Sequence, residues 1–377
     1  LFAVKGVGLP LRHPAVKLFL IHLLLTKTRD YRVALRLSEV KKKLQDHLQE
    51  GLLLVVGTGL SIAEGIPGMP ELAQHLKREI PKKLSIPDSA WDQVLAALDG
   101  GDNLEGAMGK TTLQSSTVDA IVEVTATFIA SAERKVFERV LARAEELPLT
   151  AFVKHLFKAG KKFHLITSNY DRLVELATEA AGIGVDSRFF GYLHGRADPR
   201  RSADSHRESY ISGRNSVFRP LPCLCVHKPH GSLDWFDVNG KIVRCPVDVG
   251  KAPLIITPGA SKYRESFRWA FDDQRSCGNR AATNATRLMF IGYGFNDDHL
   301  EQYLCPGLKL MKPSVIVAKE LTENALRVIG NSKNSEVIAL CAAANSDRHS
   351  RIVTSSGEEL VVDEQLWNLA GFNKGVL

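Results

Sequence analysis

The chain is short of long apolar runs, and no membrane span is expected. Its longest early run, Leu18 to Leu25, contains His22 and comes after Lys17, well below the roughly 20 residues that cross a bilayer. Lys5 and Arg12 ahead of it give it the look of a secretory leader. The next residues are Thr26-Lys27-Thr28-Arg29-Asp30 rather than a small-residue cleavage site, so the run reads as a buried helix. A start on Leu1 instead of Met suggests that a few residues precede it. Cysteine is also scarce, with six residues at 223, 225, 245, 277, 305 and 341 and no Cys-x2-Cys pair. That spacing argues against a disulfide framework and fits a reducing cytoplasm. Charge is nearly balanced: 49 basic against 42 acidic residues leave +7, enough to favour anionic ligands or a nucleic-acid surface without choosing between them.

What the chain does have is apolar material. With 377 residues, 44% of them hydrophobic, it can bury a large core as one big domain with insertions or as two ordinary ones. Val33, Leu37, Val40, Leu44 and Leu48 form one helical stripe across Arg32 to Glu50, and Gly51 stops it. Leu52 to Val56 then reads as a strand buried on both faces, as in a parallel sheet. Residues 71 to 150 read as a helical insertion, with weak spots at Pro81, Pro87 and Gly100-Gly101 and a long helix over Val118 to Leu147 broken at most once.

Beyond the insertion, helix and strand alternate: Ala151 to Ala159 helix, Phe163 to Thr167 strand, Arg172 to Ala181 helix. Residues 184 to 220 read as loops with a short strand at Ser187 to Phe190. Strands come next at Cys223 to Lys228, Leu254 to Thr257, Leu288 to Ile291 and Ser314 to Ala318, with helices at Asp297 to Leu304 and Thr322 to Ile329. The tail offers short strands at Glu336 to Cys341 and Glu359 to Asp363. The expected fold is therefore α/β, Rossmann-like, with a mostly parallel sheet and helices on both faces. Residues 1–50 would be an N-terminal helical extension, 51–330 the nucleotide-binding domain carrying the 71–150 insertion, and 331–377 a C-terminal extension.

Four polar turns carry the candidate chemistry. Gly57-Thr58-Gly59-Leu60-Ser61 ends the first strand, with Gly65-Ile66-Pro67 just beyond. The glycines would let backbone approach a pyrophosphate, although the third glycine of the dinucleotide fingerprint is missing; a bare strand-to-helix turn is the alternative. Thr167-Ser168-Asn169-Tyr170-Asp171 ends the second strand; Asn169 can orient a hydroxyl or a water, or either polar residue can simply cap the next helix. His230-Gly231 ends the strand from Cys223 and places an imidazole at the sheet edge. Its rival, His194-Gly195, comes after no clear strand. Gly292-Tyr293-Gly294-Phe295-Asn296-Asp297 repeats the first turn, and its Asn and Asp could cap a helix, face a ligand, or both.

Two lures are set aside. Gly109-Lys110-Thr111-Thr112 lacks the glycine of a phosphate-binding loop, since Leu104 stands there. Cys223, Cys225, His227 and His230 lie along one strand and cannot wrap an ion tetrahedrally, so no metal is expected.

Together these motifs resemble the sirtuin superfamily, and more narrowly a bacterial sirtuin-like branch that includes NAD+ hydrolases of antiphage defence. The pattern Gly-Ala-Gly-x-Ser-x-x-x-Gly-Ile-Pro is matched by Gly57, Gly59, Ser61, Gly65, Ile66 and Pro67, and the Thr-x-Asn-x-Asp pattern by Thr167, Asn169 and Asp171. Lys-Pro-His-Gly-Ser-Leu-Asp-Trp falls on residues 228–235. The chain departs from protein deacylases at Gly68-Met69-Pro70, where they carry Asp-Phe-Arg, and in lacking their four-cysteine zinc ribbon.

The resemblance implies NAD+ as substrate and cleavage of its nicotinamide-ribose bond. Asn169 and His230 would be catalytic. Gly57, Thr58, Gly59, Ser61, Pro67, Tyr170, Asp171, Gly292, Tyr293 and Asn296 would bind the dinucleotide, with Gly57, Gly59 and Ser61 at the pyrophosphate and Asp171 and the Tyr170 backbone at the carboxamide. It further implies a homo-oligomer and a partner protein such as an ATPase. Rival readings are an NAD-dependent deacylase or ADP-ribosyl transferase, a nucleic-acid-binding protein or nuclease subunit using the Arg-rich stretch Arg188 to Arg214, and an idle NAD-binding scaffold.

Overall fold

Fifteen strands in the described residues organise the chain: β1 (Leu52–Val56), β2 (Lys162–Thr167), β3 (Gly184–Asp186), β4 (Phe189–Phe190), β5 (Gly195–Ala197), β6 (Arg207–Ser212), β7 (Asn215–Pro220), β8 (Cys223–His227), β9 (Trp235–Val238), β10 (Lys241–Arg244), β11 (Arg287–Ile291), β12 (Ser314–Val317), β13 (Val337–Ala343), β14 (Ser346–Thr354) and β15 (Glu359–Val362). They come from a computed structural model that describes residues 36–212, 215–259, 269–297, 300–302, 304, 312–332 and 336–377. The readings made for Leu18 to Leu25 and Val33, and part of the helix expected over Asp297 to Leu304, lie outside these residues.

Nine strands form one sheet in the order β15-β14-β13-β12-β11-β1-β2-β8-β3. From β13 to β3 every neighbouring pair is parallel, while β14 and β15 close one edge as an antiparallel hairpin. Counting only β1, β2, β8, β11, β12 and β13 in chain order, the spatial order is 3-2-1-4-5-6, the doubly wound arrangement of a Rossmann-type fold. The order reverses between β1 and β11, so the turns leaving those strands diverge and open a crevice at their carboxyl ends. All five residues of β1 are buried, as a central parallel strand covered by helices requires.

The helical insertion has its own apolar cluster, in which Leu76, Ile80, Trp91, Val94 and Ile121 pack together. Met69–Lys83 keeps Pro81 in its last turn, where the missing N–H removes one hydrogen bond without ending the helix. The long helix runs unbroken over Ser115–Arg143 and ends with Ala144 in the left-handed region at φ 54°. Residues 184–220, expected as loops with a short strand at Ser187 to Phe190, hold a strand there only over Phe189–Phe190 (β4) and, besides it, β3, β5 of a second, four-stranded sheet ordered β4-β5-β10-β9, the short helix Pro199–Asp204 and the separate hairpin β6–β7. Strands of two or three residues leave too little alternation to detect in sequence. Leu254 to Thr257 is not a strand; it contributes a single bridge, Ile255 to Gly231. In the tail, β14 and the helix Leu369–Val376 add to the two strands read from the sequence.

Candidate functional site

Because β1, β2, β8 and β11 run parallel, the turns that leave them meet at one edge of the sheet. The glycine turns after β1 and β11 lock together first. The N–H of Gly57 donates to the carbonyl of Ile291 at 3.0 Å and that of Gly59 to Gly292 at 3.0 Å. A Cβ on Gly59 would stand 2.7 Å from Gly292 Cα, and Gly292 itself sits at φ +59° with Leu60 N against it. These three positions need glycine for backbone contact between the two turns. The Gly57 and Gly59 amides are spent there.

Asn169 is 5% exposed. Its Nδ2 donates to the Gly57 carbonyl at 3.0 Å and to Ser61 Oγ at 2.9 Å. A carbonyl can only accept, so this contact fixes which way the amide points. Ser61 Oγ passes the chain on, donating to Asp171 Oδ2 at 2.7 Å, while Asp171 Oδ1 accepts from Leu173 N, the first residue of the helix Leu173–Ala180, at 3.2 Å. Burial raises the Asp171 carboxyl pKa above the ordinary value. Asn169 Oδ1 is buried with no hydrogen-bond partner, a spare acceptor on a residue that lines the cleft.

His230 enters from the end of β8. Its carbonyl accepts from Ile256 N at 2.9 Å, and the next residue, Gly231, at φ +84°, would drive any Cβ into the Leu254 carbonyl. So the segment expected as a strand at Leu254 to Thr257 serves to pin the histidine loop. The imidazole Nε2 lies 3.1 Å from Asp297 Oδ2, and Asp297 also holds the start of its own turn through Leu300 N to its carbonyl at 3.0 Å. Lys228, two residues upstream of His230 and only 2% exposed, donates to the Asp171 carbonyl and pairs with Glu175 at 3.3 Å. It ties the turn after β2 to the loop after β8.

These groups line one cleft of about 930 Å³ with its open mouth. Gly57, Thr58, Ser61, Pro67, Asn169, Tyr170, Asp171, His230, Tyr293 and Asn296 all lie on it; Gly59 and Gly292 stand behind the lining, where the two glycine turns touch. Tyr170 is fastened by its hydroxyl to the Ile256 carbonyl at 2.7 Å and by its own carbonyl to Leu233 N at 3.0 Å. Burial raises its hydroxyl pKa further above the usual phenol value. Asn296 Oδ1 accepts from Asn324 at 2.9 Å.

Sequence reasoning missed one acidic member of the lining, Glu105, and the partner of another, Asp297. Asp297 was read as a cap or a ligand contact, never as the partner of His230; Glu105 comes from the insertion, where no motif marks it. The insertion also supplies an apolar wall through Met69, Leu72 and Ile129. No Lys or Arg lies among the described lining residues. His194 is exposed and off the cleft. Among the described residues no three His, Cys, Asp or Glu side chains are grouped to hold a metal ion, and no helix is long and apolar enough to cross a membrane.

Residues 164–338 match the family model described as the SIR2-like domain. No curated protein matches the chain. Among solved structures it is similar to a Sir2 homologue mutant in complex with 2′-O-acetyl ADP ribose, with 15% identity over 76% of this chain and 87% of that one and a TM-score of 0.39. A second structure, titled for the mechanism and regulation of Sir2 enzymes, gives 15% identity, 76% and 88% coverage and a TM-score of 0.36. A Sir2 homologue in complex with NAD gives 16%, 75%, 84% and 0.35.

Proposed function

We propose that this chain is an NAD+ glycohydrolase, cleaving the bond between nicotinamide and ribose to give nicotinamide and ADP-ribose. The observation that carries the reading is the unpartnered Asn169 Oδ1 on the same cleft as the His230–Asp297 pair, at the reversal of strand order. The match to the SIR2-like domain over residues 164–338 supports NAD+ as the dinucleotide.

The cleft suits the substrate's cationic end. Glu105, Asp171 and Asp297 with no Lys or Arg make a lining that favours a positively charged pyridine ring. Since Ser61 Oγ and the Gly57 and Gly59 amides already have partners, the pyrophosphate draws on other donors of the turn, Thr58 being the lining residue best placed by sequence.

Nicotinamide leaves a cationic ring as a neutral molecule, taking the electron pair of the broken bond, so no acid is required. Asn169 Oδ1 accepts from the attacking water or a ribose hydroxyl and orients it. Asp297 at Nε2 orients the His230 ring, and the imidazole takes the water proton while the water oxygen bonds to the ribose carbon.

The motif resemblance extends the proposal to antiphage defence by NAD+ depletion in the cytoplasm, as a homo-oligomer with a partner protein such as an ATPase. The test is product analysis with purified chain, NAD+ and no acceptor. Nicotinamide and ADP-ribose in equal amounts are expected; release only with an acylated peptide or an acceptor protein would assign the chain to the deacylases or ADP-ribosyl transferases instead.

A further inference from the structure

The long helix Ser115–Arg143 of the insertion does more than wall the cleft with Ile129. Two of its charged side chains take hold of the two turns that carry the cleft's hydrogen-bond chain. Glu133, only 1% exposed, accepts from the backbone N–H of Arg172 at 2.5 Å. The same carboxylate accepts from the Arg172 guanidinium, from Nε at 3.2 Å and from Nη2 at 2.6 Å. Arg172 directly follows Asp171 in the turn after β2. Further along the helix, Arg139 Nη1 donates to the Glu64 carbonyl at 3.0 Å and Nη2 to the Glu64 carboxylate at 2.5 Å. Glu64 closes the short helix Thr58–Ala63 that presents Ser61, and Ile66 and Pro67 just beyond it line the cleft.

The two contacts therefore bracket the bond from Ser61 Oγ to Asp171 Oδ2. That bond forms at one separation of the two turns, and a single helix, with its backbone bonds satisfied internally, is a stiff strut for setting it. Glu133 is also more than an anchor for the insertion. An anchor would need the guanidinium alone, whereas the bond to the Arg172 amide fixes the main chain beside Asp171. A buried carboxylate requires such charge-assisted donors. Arg172 is held on its other sides as well: Nη1 donates to the Pro246 carbonyl at 3.2 Å, and the guanidinium lies 5.2 Å from the ring centre of Phe137, a residue of the same helix.

We propose that Glu133 is a positioning residue for the cleft, holding the Asn169-Tyr170-Asp171 turn through the Arg172 amide, while Arg139 holds the turn of Ser61. The role rests on the nicotinamide-releasing reaction proposed for the cleft. It is tested by kcat and KM for NAD+ of the full chain carrying Glu133→Ala, Glu133→Gln or Arg139→Leu, with hydrogen exchange over residues 167–172 followed without substrate. Glu133→Ala should lower kcat about ten-fold or more, with a smaller change in KM, because misplacement of the turn acts on the reacting geometry. Glu133→Gln, whose amide oxygen still accepts from the Arg172 N–H, should recover most of that loss. Arg139→Leu, at a partly exposed position, should lower kcat in the same direction and keeps the test open if Glu133→Ala does not fold. Exchange over residues 167–172 should be about ten-fold faster or more in Glu133→Ala and near the wild-type rate in Glu133→Gln. Wild-type kcat in Glu133→Ala and Arg139→Leu, or an equal loss in Glu133→Gln and Glu133→Ala, would overturn the proposal and leave the reaction standing. No nicotinamide release by the wild type would overturn the reaction instead, and unchanged exchange in Glu133→Ala would overturn the hold on the turn whatever the reaction.

Discussion

Asp297 Oδ2 stands 3.1 Å from His230 Nε2, joining the turn after β11 to the loop after β8 although β1 and β2 separate those strands in the sheet. A carboxylate on one imidazole nitrogen fixes the tautomer and the ring orientation and stabilises the ring when it takes a proton. Asp297→Asn is expected to lower nicotinamide release about ten-fold or more at unchanged thermal stability, chiefly through kcat. Wild-type turnover in that variant would show that the pair has no part in the chemistry.

Lys228 joins two site loops from a nearly fully buried position. Removing one member of such a pair strands the other charge, at a cost of about 3–5 kcal/mol. Lys228→Met should therefore shift the urea midpoint strongly downward, and Lys228→Met/Glu175→Leu should recover much of the loss. Equal stability of the single variant and wild type would contradict this role for Lys228.

Gly231 is at φ +84° with the Leu254 carbonyl where a Cβ would go, and Gly292 is at φ +59° against Leu60 N. Either glycine to alanine adds backbone strain of about 1–3 kcal/mol before any steric cost. Thermal unfolding should register a loss for both, whereas Gly109→Ala, where a Cβ meets nothing within 4 Å, should leave the midpoint in place.

Acid should weaken the fold through histidines buried in neutral form. His47 and His164 have folded-state values of about 4 against an ordinary 6.5, and His227 is depressed in the same direction, all by burial first. The folded value is the lower one, so the unfolded chain binds more protons between the two. Stability is then full above pH 6.5 and declines as pH falls, to about 4 for His47 and His164 and on to about 3 for His227, with a slope up to about 1.4 kcal/mol per pH unit for each histidine. Denaturant midpoints measured from pH 7.5 to 4.5 check this; His47→Gln should flatten the decline, and an unaltered slope would count against His47 as a contributor.

The parts of the fold that sequence made legible are those with an unmistakable period. Leu52–Val56, Phe163–Thr167, Cys223–His227 and Leu288–Ile291 are continuous apolar runs that end in polar turns, and each is a parallel strand feeding the cleft. The region from Gly184 to Pro220 was illegible because β3, β4 and β5 are only two or three residues long, and β6 and β7 form a separate hairpin outside the main sheet. Asn169 and His230 could be singled out because a polar residue directly after an apolar strand stands at the sheet edge. What no local pattern conveys is which polar groups satisfy one another across long separations. The spending of the Gly57 and Gly59 amides on the turn after β11, and the contact of Asp297 with His230, are tertiary facts.

The central claim is that Asn169 and His230 act together on a nucleotide in this cleft. Nicotinamide release from NAD+ by purified wild-type chain, set beside Asn169→Ala and His230→Ala variants that unfold at the wild-type temperature, tests it most directly. Turnover by the wild type and a fall of about 10²-fold or more in each variant are expected; near wild-type release from either variant would remove that residue from the chemistry.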